Sequence, residues 1–270
     1  MKKSFFFLMS TAIVLTFTAC NHENGEEGQT LEVETIRNAV TDYDGNKYDA
    51  TKIGTQVWMS RNLCTTHYKD GTPIAKGTIG ETVTNSDQLN QPRYYQHDFA
   101  ADPYASNDYY LDNYVRGLYY NWYAANNEHG LCPEGWHLPS VQEWETLLTY
   151  VYEHAKNKSR IKALASQDGW PSSSAVGTPG CQPESNNETG FSAVPAGWIT
   201  FDDHFSGDYP DWTWISSTSQ LQDYGYGAYF WTTFRHPYSG GSYYALESRT
   251  DYTPGSQGEA YALSVRCVKN

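Results

Sequence analysis

Aromatic side chains lie close to charged ones in the C-terminal third of the sequence. The chain has 23 Tyr, 9 Trp and 10 Phe, and aromatic residues make up 16% of it. A sugar ring presents C–H patches that stack on aromatic faces, while its hydroxyls need polar partners. We therefore predict a surface that binds glycan or protein, formed by Asp211, Trp212, Tyr224, Tyr226, Arg235 and Glu247. The alternative is that these tyrosines only pack on one another, since Tyr covers surface at low entropic cost.

Motifs that would indicate catalysis are missing from the sequence. There is no Gly-x-Ser-x-Gly elbow, no His-Glu-x-x-His and no glycine-rich phosphate loop. Two carboxylate pairs, Asp202/Asp203 and Asp208/Asp211, could in principle act as acid and base on a sugar, but the sequence alone does not place them at the required separation. We predict a binding protein rather than an enzyme, without a resident cofactor.

The N-terminus is typical of an exported lipoprotein. Lys2 and Lys3 precede an apolar run, and small residues then lead to Cys20. We expect residues 1–20 to be a signal peptide and Cys20 to carry the lipid; cleavage by ordinary signal peptidase is the alternative. Residues 21–40, polar and acidic at their start, are expected to form a flexible tether. Acidic residues after such a cysteine resemble a surface-export signal of Bacteroidetes, which implies an outer-membrane, surface-exposed protein.

Four further cysteines indicate disulfide bonding in an exported chain. Three pairings are possible. We favour Cys132–Cys267, because Cys132 opens a Pro/Gly/Trp turn and Cys267 closes the last apolar strand, with Cys64–Cys181 as the second pair.

The charge of the chain argues against nucleic acid as a partner. The net charge is −13, and loss of Lys2 and Lys3 with the signal makes it −15. Phosphate neutralisation needs a density of Lys and Arg that the chain lacks. No second long apolar run is present, so a lipid would be the only membrane attachment. The length beyond the tether suits one domain, residues 41–270.

The elements predicted from local patterns are a hairpin, helices and a β-rich second half. Asp44-Gly45 is a turn signal between residues 41–43 and 47–53, and a strand is expected at 56–59. Ser140 and Glu143 form a capping box before apolar residues spaced i, i+3, i+4 and i+7. Other helices are predicted at 117–125 and 160–166, and strands at 191–195, 212–216, 229–232 and 261–266.

Ten motifs in this order resemble the Fibrobacter succinogenes major paralogous domain. They include Lys52-Ile53-Gly54-x-Gln56-x-Trp58-Met59, Tyr120-Asn121-Trp122-Tyr123-Ala124-Ala125, Cys132-Pro133-x-Gly135-Trp136-His137-x-Pro139-Ser140 and Ser264-Val265-Arg266-Cys267-Val268. The resemblance runs from about residue 41 to residue 269. It implies an α+β, C-type-lectin-like fold with two main helices and a loop-rich, twisted antiparallel β half. It also implies that the tryptophans of these motifs pack in the core.

The resemblance to C-type lectins raises the possibility of calcium. Their sugar sites use a Glu-Pro-Asn or Gln-Pro-Asp tripeptide, and this chain has Gln182-Pro183-Glu184 followed by Asn187 and Glu188. Oxygen ligands of this kind suit a hard cation. The tripeptide differs from the usual one, so Gln182, Glu184, Asn187 and Glu188 are weak candidates for a metal site, and our expectation is that no metal is bound.

Three functions are therefore compared below. The first is a surface lipoprotein that binds glycan or protein through aromatic loops, for which an aromatic-floored groove near residues 212 and 224–226 is expected. The second is a structural or assembly subunit of a cell-surface appendage, which would show an unpaired strand edge or a large apolar patch. The third is an enzyme related to sulfatase-modifying factors. That enzyme family uses paired reactive cysteines near its C-terminus, where this chain has only Cys267.

Overall fold

The protein is mostly β. The computed structural model describes residues 31–97, 116–156, 159–206, 213–248 and 252–270. Within these ranges the α-helices are α1 (Trp122–Ala125), α2 (Val141–His154) and α3 (Arg160–Leu164), with 3₁₀ turns at Ser86–Gln88 and Pro183–Ser185. The expected α+β fold with two main helices is therefore wrong, because only α2 exceeds two helical turns and three β-sheets make up most of the regular structure. No helix in the described ranges combines the length and apolarity that a membrane crossing requires.

The first sheet joins both ends of the described chain. Its strand order is β1-β2-β3-β15-β8, in which the strands are β1 (Val33–Thr41), β2 (Lys47–Ile53), β3 (Gln56–Met59), β8 (Trp136–His137) and β15 (Val268–Lys269). The Asp44-Gly45 hairpin and the 56–59 strand are as predicted. The tether was expected to reach residue 40, but residues 33–40 belong to β1 and pair with β2. The reason is that Ile36, Ala39 and Val40 pack against the core, so these residues form an ordered strand at the edge of the sheet.

The second sheet accounts for the wrong helix prediction at 117–125. Its order is β4-β6-β7-β14-β9-β10-β5, with β4 (Ala75–Gly77), β5 (Thr82–Val83), β6 (Arg93–Tyr95), β7 (Tyr119–Asn121), β9 (Trp198–Ser206), β10 (Thr213–Gln222) and β14 (Ala262–Leu263). Tyr119 and Tyr120 are both buried, on opposite faces of the central strand β7. Burial on both faces favours an extended segment over an amphipathic helix. Only the following turn, capped by the Asn121 side chain, is helical.

The third sheet contains β11 (Gly227–His236), β12 (Gly240–Glu247) and β13 (Tyr252–Gln257), in that order. Four strands were predicted in the second half of the chain. Of these, 212–216 and 261–266 overlap β10 and β14 of the second sheet, and 229–232 lies within β11 of the third sheet. The fourth, 191–195, forms only an isolated bridge between Ala193 and Ala165. Helix α2 lies between the first and third sheets: the Trp144 ring is 5.0 Å from Trp58 of β3 and stacks at 5.4 Å on Tyr244 of β12.

The start of α2 is fixed by the predicted capping box. The Ser140 hydroxyl accepts from the Glu143 N–H, and the Glu143 carboxylate accepts from the Ser140 N–H at 2.8 Å. The imidazole of His137 contacts the other Glu143 oxygen at 2.7 Å. Burial alone would raise the pKa of Glu143, but the hydrogen bonds from Ser140 and His137 outweigh it, so that the pKa lies below its usual value.

This lowered pKa predicts an acid-sensitive contribution to stability. A carboxylate whose pKa is lower in the folded than in the unfolded chain stabilises fully above the unfolded value of 4.5 and loses that effect as the pH falls through the folded value. We expect Glu143→Gln to lower the free energy of unfolding by about 1 kcal/mol at pH 7 and by less at pH 3. Urea titrations at both pH values measure this, with the exposed Glu145→Gln on the same helix as control. An equal loss at both pH values would contradict the assignment.

One disulfide links the middle of the chain to its end. Cys132 and Cys267 are bonded across 135 positions, which confirms the favoured pairing. The second pair, Cys64–Cys181, is wrong, because Cys64 is a free thiol. Its sulfur lies 3.3 Å from the Tyr48 hydroxyl and 3.1 Å from the Arg61 guanidinium, so local polar contacts hold it.

Candidate functional site

A tight turn between β10 and β11 forms one wall of a cavity at the end of the third sheet. Asp223 has φ 52° and Gly225 has φ 82°, both in the left-handed region that Asp tolerates and Gly prefers. The N–H groups of Tyr226 and Gly227 donate to the Asp223 carbonyl at 2.9 and 3.1 Å. The backbone of Ser248, just after β12, donates to the Tyr226 carbonyl at 2.8 Å. The turn is therefore held against the end of the third sheet, and Asp223 and Tyr226 have fixed positions.

The cavity encloses about 340 Å³ and is open to solvent. Among the described residues, its lining consists of Asp223, Tyr226, Tyr229, Glu247 and Ser248. We call it the turn cavity. The Tyr226 side chain is 51% exposed, so its ring is available to a ligand. Two carboxylates, two tyrosines and one serine thus converge in a volume of the size that binds small molecules.

Tyr229 connects the two carboxylates of the turn cavity. Its hydroxyl lies 3.0 Å from Asp223 Oδ2 and 3.2 Å from Glu247 Oε1. Burial raises the pKa of Tyr229, and the neighbouring charges of Asp223 and Glu247 raise it further, so the phenol stays protonated. Because it has a single hydrogen, it donates to one carboxylate at a time. The phenol and the two carboxylates therefore form one hydrogen-bonded group on the cavity wall.

A glycine two residues earlier in the same strand makes room for Tyr229. In the antiparallel pairing of β11 with β12, Gly227 lies opposite Glu247 and Tyr229 lies opposite Ala245. Side chains two residues apart share a face, so Tyr229 and Glu247 are diagonal neighbours. A Cβ at Gly227 would come within 2.5 Å of the Tyr229 ring. The missing side chain at position 227 therefore allows the ring to lie flat and reach the Glu247 carboxylate.

Aromatic packing behind the cavity holds Tyr229 in place. Trp198 stacks on its ring at 5.6 Å, and Tyr243 meets its ring edge-on at 5.9 Å. The Trp198 indole N–H also donates to Asp223 Oδ2 at 3.1 Å. The indole thus orients both the phenol and one carboxylate, which favours a preformed site.

The structure brings together only part of the predicted ligand surface. Tyr226 and Glu247 line the turn cavity. Tyr224 is half-buried, and its ring lies 4.9 Å from the Arg116 guanidinium. Arg235 is bonded to Glu259 near the far end of β11, away from the cavity. Asp211 and Trp212 lie outside the described residues, as do Cys20 and the signal peptide.

The predicted ligand surface did not include Asp223, Tyr229 and Ser248. Tyr229 lies in a segment predicted only as a strand; its ring is buried, and its hydroxyl reaches the two carboxylates. The signal that could have found it is the strand pairing, which puts a glycine opposite Glu247 and an aromatic residue two positions further along. That pairing depends on the lengths of two hairpin turns and is not visible in a single strand.

Three of the four weak calcium candidates make other contacts in this structure. The Lys162 ammonium is hydrogen-bonded to the carbonyls of Cys181 and Gln182 and to the Asn186 side chain, so a fixed positive charge already serves these oxygens. Asn187 bonds to Ser192, and Glu188 accepts from the Lys156 backbone. Glu184 is exposed. Among the described residues, no cluster of three or more His, Cys, Asp or Glu is placed to hold a metal ion.

Comparison with known proteins gives the family of the chain. No curated protein and no solved structure matches it. The sequence model of the Fibrobacter succinogenes major domain matches residues 51–269, which begin within β2 and include every residue of the turn cavity. The chain therefore belongs to the Fibrobacter succinogenes major domain family.

Proposed function

We propose that this protein is a non-catalytic binding module that recognises carbohydrate in the turn cavity. The observation that carries the proposal is the combination of an exposed tyrosine ring, Tyr226, with two carboxylates on the same cavity wall. A pyranose ring can stack on the phenol face while its hydroxyls donate to the carboxylates. The cavity volume suits one or two sugar units rather than an extended polymer.

The position of Tyr229 supports binding rather than hydrolysis. A glycosidase needs its scissile bond between an acid and a second carboxylate. Here the Tyr229 hydroxyl lies between Asp223 and Glu247, within hydrogen-bond distance of both. The space that a glycosidic oxygen would need is therefore taken by a protein group.

The proposal includes the location of the protein. Sequence features support export, lipid attachment at Cys20 and display on the outer membrane, with the lipid as the only membrane anchor. The disulfide Cys132–Cys267 supports an oxidising compartment. A glycan or a surface protein, and not a nucleic acid, is the partner that we propose.

An assembly role has less support, although β1 is an edge strand. Asn38 of β1 has φ 47°, and the register with β2 shifts between Ile36 and Val40. The Asp49 carboxylate also binds the Asn38 N–H at 2.8 Å. A bulge of this kind interrupts the ladder that a donor strand from another subunit would extend.

Truncation of Tyr226 tests the proposed site. We expect Tyr226→Ala to weaken the binding of a sugar, first identified on a glycan array, about tenfold, because the stacking surface is lost. The melting temperature should change little, since the side chain is half exposed. Isothermal titration calorimetry measures the affinity, and Tyr238→Ala is the matched control, because Tyr238 is 93% exposed in a different turn. Equal affinities for wild type and Tyr226→Ala would exclude this cavity as the sugar site.

A further inference from the structure

Lys162 of α3 is a buried lysine whose ammonium is bonded to one short loop. The residue is 6% exposed. Its Nζ atom donates to the backbone carbonyl of Cys181, to that of Gln182 at 2.9 Å and to the side-chain oxygen of Asn186 at 3.0 Å. An ammonium has three donors and no acceptor, so these three oxygens satisfy it completely. Residues 181–186 thus wrap around a single positive charge.

The loop is folded so that its oxygens converge on this charge. The amide nitrogen of Asn186, a residue that is itself buried, donates to the carbonyls of Ser166 and Pro179, each at 2.9 Å. These bonds use both hydrogens of that amide, and its oxygen accepts from Lys162. The backbone N–H of Asn187 donates to the Lys162 carbonyl at 3.1 Å. The orientation of the Asn186 oxygen is therefore fixed by contacts other than the one with the lysine.

The oxygens around Lys162 resemble the ligands of a metal ion, but they differ in charge. Backbone and amide oxygens bind hard cations, and the loop contains Gln182-Pro183-Glu184, the tripeptide compared above with the sugar site of C-type lectins. All three acceptors of the ammonium are neutral, whereas calcium sites also use carboxylates. Three neutral oxygens suit a group that has one positive charge and supplies three hydrogens.

We infer that the Lys162 ammonium takes the place of a bound metal ion in this loop, so that residues 181–187 are ordered by a charge of the chain itself and not by calcium. A second cation among the same oxygens would be repelled by the ammonium at close range. A neutral amine would not serve, because its lone pair would face one of the three oxygens. This loop does not line the turn cavity, and its role is independent of the proposed carbohydrate site.

An ion pair with Glu184 is the alternative role for Lys162. Burial lowers the pKa of Lys162, an effect that the charge of Glu184 opposes. The Glu184 residue is exposed, however, and the three acceptors of the ammonium are carbonyl and amide oxygens. An exposed carboxylate contributes little to holding a buried group in place. Glu184→Gln is therefore a matched control, because it removes this charge and leaves the three oxygens unchanged.

Backbone hydrogen exchange in calcium chloride and in EDTA tests the inference. The N–H groups of residues 185–187 donate within the loop and to Lys162, and in wild type they should exchange at the same rate in both solutions. Lys162→Ala should speed their exchange about tenfold, because the three oxygens lose their common donor. Glu184→Gln, and Lys52→Ala at an exposed lysine of β2, should leave the rate unchanged.

Added amines distinguish a cation site from a general loss of packing. Methylammonium chloride supplies the missing end of the side chain to Lys162→Ala, so it should return the exchange of residues 185–187 towards the wild-type rate. Tetramethylammonium chloride has the same charge but no N–H donor, so it should have no such effect.

Three results would overturn the inference. Slower exchange of residues 185–187 of wild type in calcium would show that the loop binds a metal ion. Wild-type exchange in Lys162→Ala, or the same response of that variant to both amines, would show that the loop does not depend on an ammonium donor. If circular dichroism shows that Lys162→Ala is unfolded, Lys162→Met replaces it in the exchange comparison, and the wild-type comparison in calcium and EDTA decides the question.

Discussion

Replacement of both Cys132 and Cys267 by serine should lower the free energy of unfolding by about 5 kcal/mol. The bond closes a loop of 135 positions, and loop-closure entropy in the unfolded chain grows with the logarithm of that length. The bond also ties the chain just before β15, an inner strand of the first sheet, to the turn before α2. Equilibrium urea unfolding measures the loss.

Cys64→Ser is the matched control for this prediction. Cys64 is a free thiol, so its replacement leaves the chain topology unchanged. We expect a loss of less than about 1 kcal/mol, since serine can keep the contacts with Tyr48 and Arg61. A double Cys132/Cys267 variant as stable as Cys64→Ser would show that the fold does not depend on the covalent link.

Arg266→Met should be nearly as damaging, at about 3–5 kcal/mol. The Arg266 side chain is fully buried, and its guanidinium donates to the carbonyls of Met59 and Phe191 and to Asn62 Oδ1 at 2.6 Å. Burial, and then the charge of Arg61, lower the pKa of Arg266 to about 9, so it remains charged at neutral pH. Methionine fills much of the volume but leaves the carbonyl and amide oxygens without these donors.

An exposed arginine provides the comparison for Arg266. Arg37 on β1 is paired with Asp49 at 2.5 Å but is 78% exposed, so Arg37→Met should cost less than about 1 kcal/mol. Arg266→Lys should give an intermediate loss, because one ammonium cannot reach all three acceptors in the geometry of a guanidinium. Denaturation midpoints of the three variants measure this order. A stable Arg266→Met protein would mean that the buried guanidinium is dispensable for the fold.

The parts of the fold that were predictable are those with local or covalent signatures. The Asp44-Gly45 turn, the Ser140–Glu143 capping box and the Cys132–Cys267 pair each depend on a few residues whose chemistry allows few conformations. The balance between helix and sheet was not predictable in this way. Leu118, Trp122 and Ala125 have the spacing of one helix face, and only the neighbouring strands β6 and β14 show that residues 119–121 are extended and buried on both faces.

The candidate site was half predictable for the same reason. Tyr226 and Glu247 were identified because aromatic and acidic residues near turns are typical of ligand surfaces. Tyr229 was not, because its role depends on lying diagonally across from Glu247, over the backbone of Gly227. Arg235, also predicted in the ligand surface, lies apart from the turn cavity, because β11 is long enough to carry it to Glu259.

The most direct test of the central claim is an NMR titration of protein with isotope-labelled tyrosine rings against the sugar identified on the glycan array. The signals of Tyr226 and Tyr229 should shift with a common, saturable dependence on ligand concentration, while those of Tyr43 and Tyr152, exposed on other surfaces, should not move. Saturable shifts that leave Tyr226 and Tyr229 unchanged would place the site elsewhere and contradict the account.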